Sequence, residues 1–598
     1  MTQEIVWNLS PLFKSLDDPE ITKTIEGAFK TVTEVEKKFK GKINTSKMTP
    51  DLLLELIQTT ENLNLSIDRV FQFANLSVAA DQTNELAQAL LNTAQSAVTD
   101  IGKDLSFIKI EIGKLLTKRK EEFLNALILA NYQHYLDRIL RNHPFTLSEI
   151  EEQIILEKDQ YGIKEWQKLQ SKWLGTRTFE IKIEGKTEII PFGKYIGYAS
   201  HPKREIRQET VKKVLGKLGE DVDVYATCMR AICADHVQTS RRRKYPNFLE
   251  SSLIINDITL EMIEAMISAV ESNIDLYVEG LLLKGKALGT SKLLGEDFYA
   301  PIPADEELKY TWEEAKNIVI QSYSEFDPDF REYIKNFFFE NRIDASPRKG
   351  KRAGAFCSSD YSSQSAFILQ SFTEDVGSVL TLAHELGHAC HAYYYSKNQS
   401  YYNTETSFVM AEVASEFGSM LVTEKILANI QNASVKRSIL FNQLLGYSGL
   451  LTAVFEVGSR TYFEKSLYDT IKAGGYLDAE KIAELFMESR KKYFRDAVEW
   501  LPEHKWAWCW KPHYYRSSLR FYNYPYVFAE LVVLSLYGKY RKEGKDFVPK
   551  LKDLLAAGSS KSPLELGKDL GIDMADPAFW EIGISEIRRL LNELKELV

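Results

Sequence analysis

Residues 382–391 read LAHELGHACH, three histidines and a glutamate in an otherwise apolar run. In a helix, His384 and His388 lie four apart on one face, about 6 Å apart along the axis. Two imidazoles so placed can share a divalent cation. Zinc takes histidine nitrogen at about 2.0–2.1 Å, and catalytic zinc sites combine three protein ligands with a water. Glu385 is rotated about 100° from His384. That takes it off the ligand face but leaves it near enough to serve a metal-bound water as general base. The flanking residues Val376, Val379, Leu380, Leu382, Ala383, Leu386 and Ala389 predict burial. An unpaired polar group in such a place costs about 2–7 kcal/mol. A plain core helix would have to satisfy two imidazoles and a carboxylate at once. His391 is seven residues from His384, about 20° off its face, and is expected to pack beside the site or support it.

A third ligand has to come from another element. The segment 409-VMAEVASEFGSMLVTEKIL-427 reads as a helix with Glu412 and Glu416 one turn apart among Val409, Ala411, Val413, Phe417 and Met420. Carboxylates on an apolar face are unusual unless paired or bound to metal. Glu412 lies 24 residues beyond His388, enough for the chain to end one helix, turn through 397–406 and return antiparallel. Spacing alone leaves Glu412 and Glu416 as near-equal candidates. Farther on, 504-HKWAWCWKPHYYRSSLRFYNYPYVFAEL-531 crowds aromatic rings around His513. It reads either as core or as a source of donors, His513 and tyrosine hydroxyls, for a developing oxyanion. Such donors are worth about 100–1,000 in rate.

Several elements must position these residues. The first ~175 residues are helical by pattern, most clearly over 51–120. Asn142-His143-Pro144 breaks the pattern, and Thr146 with Glu149 has the form of a capping box. The stretch 178-TFEIKIEGKTEIIPF-192 alternates around Glu184-Gly185, a hairpin signal. We place an N-terminal helical domain at 1–200, ending in this hairpin, and a catalytic domain at 201–598. Within the latter, Thr311 and Glu314 restart a helix. Residues 343–359 read as a loop or an edge strand, and 364–372 as a strand leading into the histidine helix. A charged helix covers 581–597.

Composition narrows the function. The 598-residue chain carries a formal net charge of -9, which disfavours a nucleic-acid binder. The one basic run, Arg241 to Lys244, reads as a solvated turn. No apolar run reaches the roughly 18 residues of a membrane span, and the N-terminal stretch lacks a secretory pattern. Five cysteines, few and odd in number, suit a reduced, cytoplasmic protein.

Four segments together, LAHELGHACH, AEVASEF (411–417), GKRAGAFC (350–357) and PHYYRSSLRFYNYPY (512–526), with the opening WNLSPLF, make the chain resemble the oligoendopeptidase F group of zinc metallopeptidases, relatives of thimet oligopeptidase and neurolysin. The resemblance implies a mainly α, zincin-like α+β fold: two largely helical halves around a deep substrate channel, with a small β element near the active site. It implies one Zn2+ held by His384, His388 and Glu412, which decides against Glu416 as ligand, with Glu385 as catalytic glutamate. His513 and Tyr524 match positions that contact substrate and stabilise the tetrahedral intermediate, with Tyr515 and Tyr522 as helpers. Gly354, Ala355 and Phe356 fall in a cleft wall that meets peptide backbone. Substrates are then short oligopeptides cut at internal bonds, with no nucleic-acid or membrane partner; a homo-oligomer is compatible with the pattern. One departure is Ser419, where the family usually carries an acid seven residues after the third ligand; Glu416 is the candidate to replace it in orienting a histidine. The nearest alternative is a carboxypeptidase or dipeptidyl carboxypeptidase, which needs a cation such as Arg516, Arg520 or Lys351 for the substrate's terminal carboxylate. A non-catalytic scaffold with a structural zinc would need a fourth protein ligand, and Cys390 points away from the ligand face.

Overall fold

The computed structural model describes residues 4–598. Helices dominate and sheets are small, as the mainly α expectation requires. The chain forms two compact units interleaved in sequence: Met1–Thr146, Leu308–Asn429 and Tyr540–Gly571 make the first, and Leu147–Glu307, Ile430–Lys539 and Ile572–Val598 the second. The sequence-based cut at residue 200 falls inside the second unit, because compactness follows packing between distant segments that a linear pattern does not display.

In the first unit, helices Pro19–Phe39, Pro50–Ala80 and Glu85–Asp104 pack through periodic apolar faces. Each starts on a side-chain cap, from Asp18, Thr49 and Asn84, and the first two carry proline in the opening turn, where its missing N–H is not needed. The 31-residue helix Pro50–Ala80 also anchors the segment 350–359. Ala79 O accepts from Arg352 N at 2.9 Å, and Gln82 N donates to Gly350 O at 2.7 Å. The Gln72 amide donates to Ser359 O at 2.7 Å and, more weakly, to Ser358 O at 3.4 Å. That segment leads into strand Phe356–Asp360, which pairs antiparallel with the fully buried strand Ser365–Leu369. Ile343–Asp344 adds to the far side of Ser365–Leu369 in parallel. Phe356–Asp360 is therefore an edge.

The second unit holds the hairpin Thr178–Ile183 and Lys186–Pro191 in antiparallel register. Its two turn residues, Glu184 and Gly185, both have positive φ, 50° and 83°, as a tight two-residue turn requires. The capping box before helix Glu149–Tyr161 is formed by Ser148 and Glu151 rather than by Thr146 and Glu149. The same S/T-x-x-E pattern occurs twice in overlap, and His143–Phe145 still occupies a short 3-10 turn just ahead of Thr146. Thr311 and Glu314 form their box as expected. The basic run closes helix Val222–Arg243, where Arg243 forks onto Glu152 with two bonds of 2.7 Å. All five cysteines are free. Among the described residues no helix is long and apolar enough to cross a membrane.

Candidate metal centre

Helix Val376–Asn398 carries the histidines. Asp375 caps it, accepting Ser378 N at 2.7 Å. Leu382, Ala383, Leu386 and Ala389 are fully buried, so the helix is held on several sides and its polar residues cannot rotate away from one another. Gly387 makes the next contact. A Cβ there would collide with the Ala414 carbonyl and lie 2.5 Å from Ser415 Cα; the absent side chain lets the following helix, Val413–Asn429, approach at backbone distance. Gly418 opens a second gap, since a Cβ there would lie 2.6 Å from Tyr323 Cζ. Tyr323 fills that space and donates its hydroxyl to Ala383 O at 2.8 Å, one residue before the first histidine.

This packing gathers three ligand atoms. Glu412 sits at the joint between the short helix Phe408–Ala411 and Val413–Asn429. Its Oε2 is 3.4 Å from Nε2 of His384 and 3.4 Å from Nε2 of His388. The ligand atoms of the three residues all lie within 4.8 Å of one another. Atoms bound to one tetrahedral ion at about 2.0–2.1 Å are separated by about 3.3 Å, so the donor set fits zinc. Ser415 donates its hydroxyl to the same Glu412 oxygen at 2.8 Å. On the other face of the first ring, His384 Nδ1 is 3.2 Å from Glu416 Oε1. An Nδ1–H donated there leaves the Nε2 lone pair aimed at the shared point.

The electrostatics agree. Burial pushes His384 down, but the Glu416 hydrogen bond and the charges of Glu416, Glu412 and Glu385 outweigh it and lift its pKa to about 9. Burial pushes Glu412 up, and His388 and His384 overcome this and pull it to about 2. A site that stabilises positive charge this strongly suits a cation. Glu385 is raised above the usual carboxylate range, chiefly by burial, and its Oε2 is buried with no hydrogen-bond partner. A desolvated carboxylate oxygen without a partner has the character of a base awaiting a proton donor. His391 is buried, pushed down to about 3 by burial, and held against Tyr395 at 5.2 Å. A cavity of about 350 Å³ opens over these groups, lined by His384, Glu385, His388, His391 and Glu412 on one side and by Ala355, Phe356 and Cys357 on the other. Gly354 immediately precedes that wall, at φ 87°.

In the second unit, His513 lies in a cluster of half-buried rings. Its imidazole stacks on Tyr522 at 5.6 Å and meets Tyr526 edge-on at 5.7 Å. Burial, reinforced by Arg460, Lys511 and Arg516, lowers its pKa to about 4, so the ring is neutral at pH 7 in a positive surrounding. Tyr515 and Tyr524 are fully buried. The Tyr524 hydroxyl shares a hydrogen with Ser252 Oγ at 2.9 Å and accepts from Asn256 at 3.3 Å.

Sequence reasoning missed Ser415, Gly387 and Tyr323, and did not single out Tyr526 within the aromatic stretch. Ser415 was findable, three residues beyond Glu412 and so over it on a helix. Tyr323 left no signal, since it reaches the site from 60 residues away.

Comparison with known proteins matches residues 198–586 to peptidase family M3 and residues 111–179 to Oligopeptidase F. The chain is 27% identical to Oligopeptidase PepF of Bacillus subtilis, over 100% of this chain and 87% of that one. It is 23% identical to an oligoendopeptidase F homolog of Lactococcus lactis, over 100% and 98%. Among solved structures, oligoendopeptidase-F from Enterococcus faecium shares the fold with a TM-score of 0.70 at 21% identity, over 97% of this chain and 98% of that one. A peptidase from Chlamydophila abortus shares it with a TM-score of 0.86 at 21% identity, over 99% and 98%.

Proposed function

The chain belongs to peptidase family M3, a family of metallopeptidases, and from that premise we propose that it is a zinc-dependent endopeptidase hydrolysing internal bonds of short, unstructured oligopeptides. The observation that carries this reading is the convergence of three ligand atoms beside a buried, partnerless glutamate oxygen. His384, His388 and Glu412 would hold the ion. A zinc ion held there would supply Lewis-acid polarisation of the scissile carbonyl and acidification of the attacking water. Glu385 takes the proton of the attacking water and delivers it to the leaving amine. Glu416 and Ser415 fix the orientation of His384 and Glu412.

An extended peptide can add to the edge strand at Ala355–Cys357, the part of that wall whose carbonyls Gln72 does not use. His513 and Tyr524 contribute donors to the developing oxyanion; for Tyr524 this means exchanging Ser252 and Asn256 for substrate. A site that admits short oligopeptides and excludes folded proteins suits this reading. Five free thiols suit the cytoplasm.

The exopeptidase alternative needs an uncommitted cation, and two of its three candidates are engaged. Lys351 pairs with Asp344 at 2.8 Å and donates to Asp344 O and Ser346 O, and Arg520 is buried in an ion pair with Glu464. The test is digestion of a peptide library with and without chelator, read by mass spectrometry, including substrates blocked at the C-terminus. Activity lost to chelator, restored by zinc and indifferent to the block supports the proposal. Activity that survives thorough metal removal sinks it.

A further inference from the structure

The stretch between Tyr515 and Tyr524 has no regular secondary structure, yet it is fixed from beneath by a buried ion pair. Arg520, 3% exposed, donates from Nη1 to the carbonyls of Tyr514 at 2.7 Å and Arg516 at 2.9 Å. Its Nε donates to the Tyr468 hydroxyl, and its Nη2 is 3.3 Å from Glu464 Oε1. Glu464 lies on helix Val457–Lys472 and is fully buried. It accepts the backbone N–H of Phe521 at 2.8 Å and the Asn523 amide at 2.9 Å. Those two donors flank Tyr522. Phe521 is held at φ 56°, a left-handed conformation that side chains disfavour and that persists only where its surroundings enforce it.

On the outward side of the same backbone stand the rings already described: His513 on Tyr522, with the Arg516 guanidinium 4.0 Å from the Tyr522 centroid. A buried ion pair adds little stability over apolar residues of the same shape. What it supplies here is direction, since five hydrogen-bonding groups of one short loop and its neighbouring helix converge on two side chains.

We infer that Glu464 and Arg520 are positioning residues that set the geometry of His513 and Tyr522 toward the substrate. This rests on the reading of His513 as an oxyanion donor. The test is a double-mutant cycle between Glu464→Gln, which keeps the shape and removes the charge, and His513→Ala. A misplacement of about 1 Å costs about 100-fold. Glu464→Gln should therefore lower kcat about 100-fold with KM within about threefold, leave metal content unchanged, and add no further loss in the His513→Ala background. Glu464→Asp should recover part of the loss.

Full kcat in folded Glu464→Gln overturns the inference, as does an equal loss in both backgrounds, which would place the pair's effect elsewhere. Full activity of His513→Ala alone overturns the donor reading itself, and that result is separable because it requires no change at Glu464. If Glu464→Gln does not fold, Tyr468→Phe removes a single hydroxyl from Arg520 and runs the same cycle, with about a 10-fold loss expected and the same two overturning results.

Discussion

The histidine–glutamate helix pair of the first unit and the aromatic segment of the second both carry polar groups through apolar surroundings, by opposite arrangements. In the helix pair the charged groups face one another at a single point, with Glu412 shared between two imidazoles and Glu416 behind the first. Around the aromatic segment the buried charges are paired, Glu456 against Arg490 and Glu464 against Arg520, while the outward side presents the rings of His513 and Tyr522 with the Arg516 guanidinium over Tyr522. The first arrangement stabilises a cation. The second leaves His513 neutral, chiefly through burial and with Arg460, Lys511 and Arg516 adding to it, a setting that favours negative charge developing nearby. Under the proposed function, one region would hold an ion permanently and the other would meet a charge that exists only during reaction.

The largest test of this contrast is Glu385→Gln. The substitution removes the base and leaves the three ligands in place, so kcat should fall by about 10³-fold while metal stoichiometry after dialysis is unchanged. Initial rates and elemental analysis on the same preparation check both halves. A variant that cleaves peptides at the wild-type rate would show that the partnerless oxygen takes no part in the chemistry.

Next in size is Glu416→Gln, which keeps the shape beside His384 Nδ1 and removes the charge. Loss of a partner of this kind weakens metal binding about 10–100-fold, measurable by competition with a chromogenic chelator. Ser419→Glu in the same background should recover part of the affinity, if an acid seven residues after Glu412 can take over the orienting role expected for that position. Unchanged affinity in Glu416→Gln would mean that the 3.2 Å contact does not orient the ring.

The two regions also differ in how far the sequence disclosed them. The metal cluster follows from spacing, because a helix turns i and i+4 to one face whatever surrounds it. The hairpin at 178–192 was equally legible from its alternation and its Glu184-Gly185 turn. Choosing Glu412 over Glu416 was beyond spacing, since both sit on the same apolar face; the structure gives them different partners, Nε2 of both histidines for one and Nδ1 of His384 for the other. The aromatic segment was least legible. Tyr515, Tyr522, Tyr524 and Tyr526 are alike as letters, but Tyr515 ends a 3-10 turn, Tyr522 follows Phe521 at positive φ in irregular backbone, and Tyr524 and Tyr526 open a helix; Tyr515 and Tyr524 are fully inward, and Tyr522 and Tyr526 half-buried. No single periodicity runs through that change of backbone, and the pair that fixes the irregular stretch around Tyr522, Glu464 and Arg520, has members 56 residues apart.

Tyr524→Phe tests the aromatic region at its finest point. The hydroxyl is fully buried and bonded to Ser252 and Asn256, so its removal should cost about 1–3 kcal/mol of stability by leaving those partners less satisfied. A donor that must first give up two existing bonds contributes less to catalysis than one already half-exposed. We expect kcat to fall about 10-fold, against about 100–1,000-fold for His513→Ala. Thermal unfolding and steady-state kinetics on the one variant separate the two effects. A lowered Tm with kcat unchanged would make Tyr524 a framework residue, and the donors beside His513 would then be sought in Tyr522 and Tyr526, the two rings that touch it.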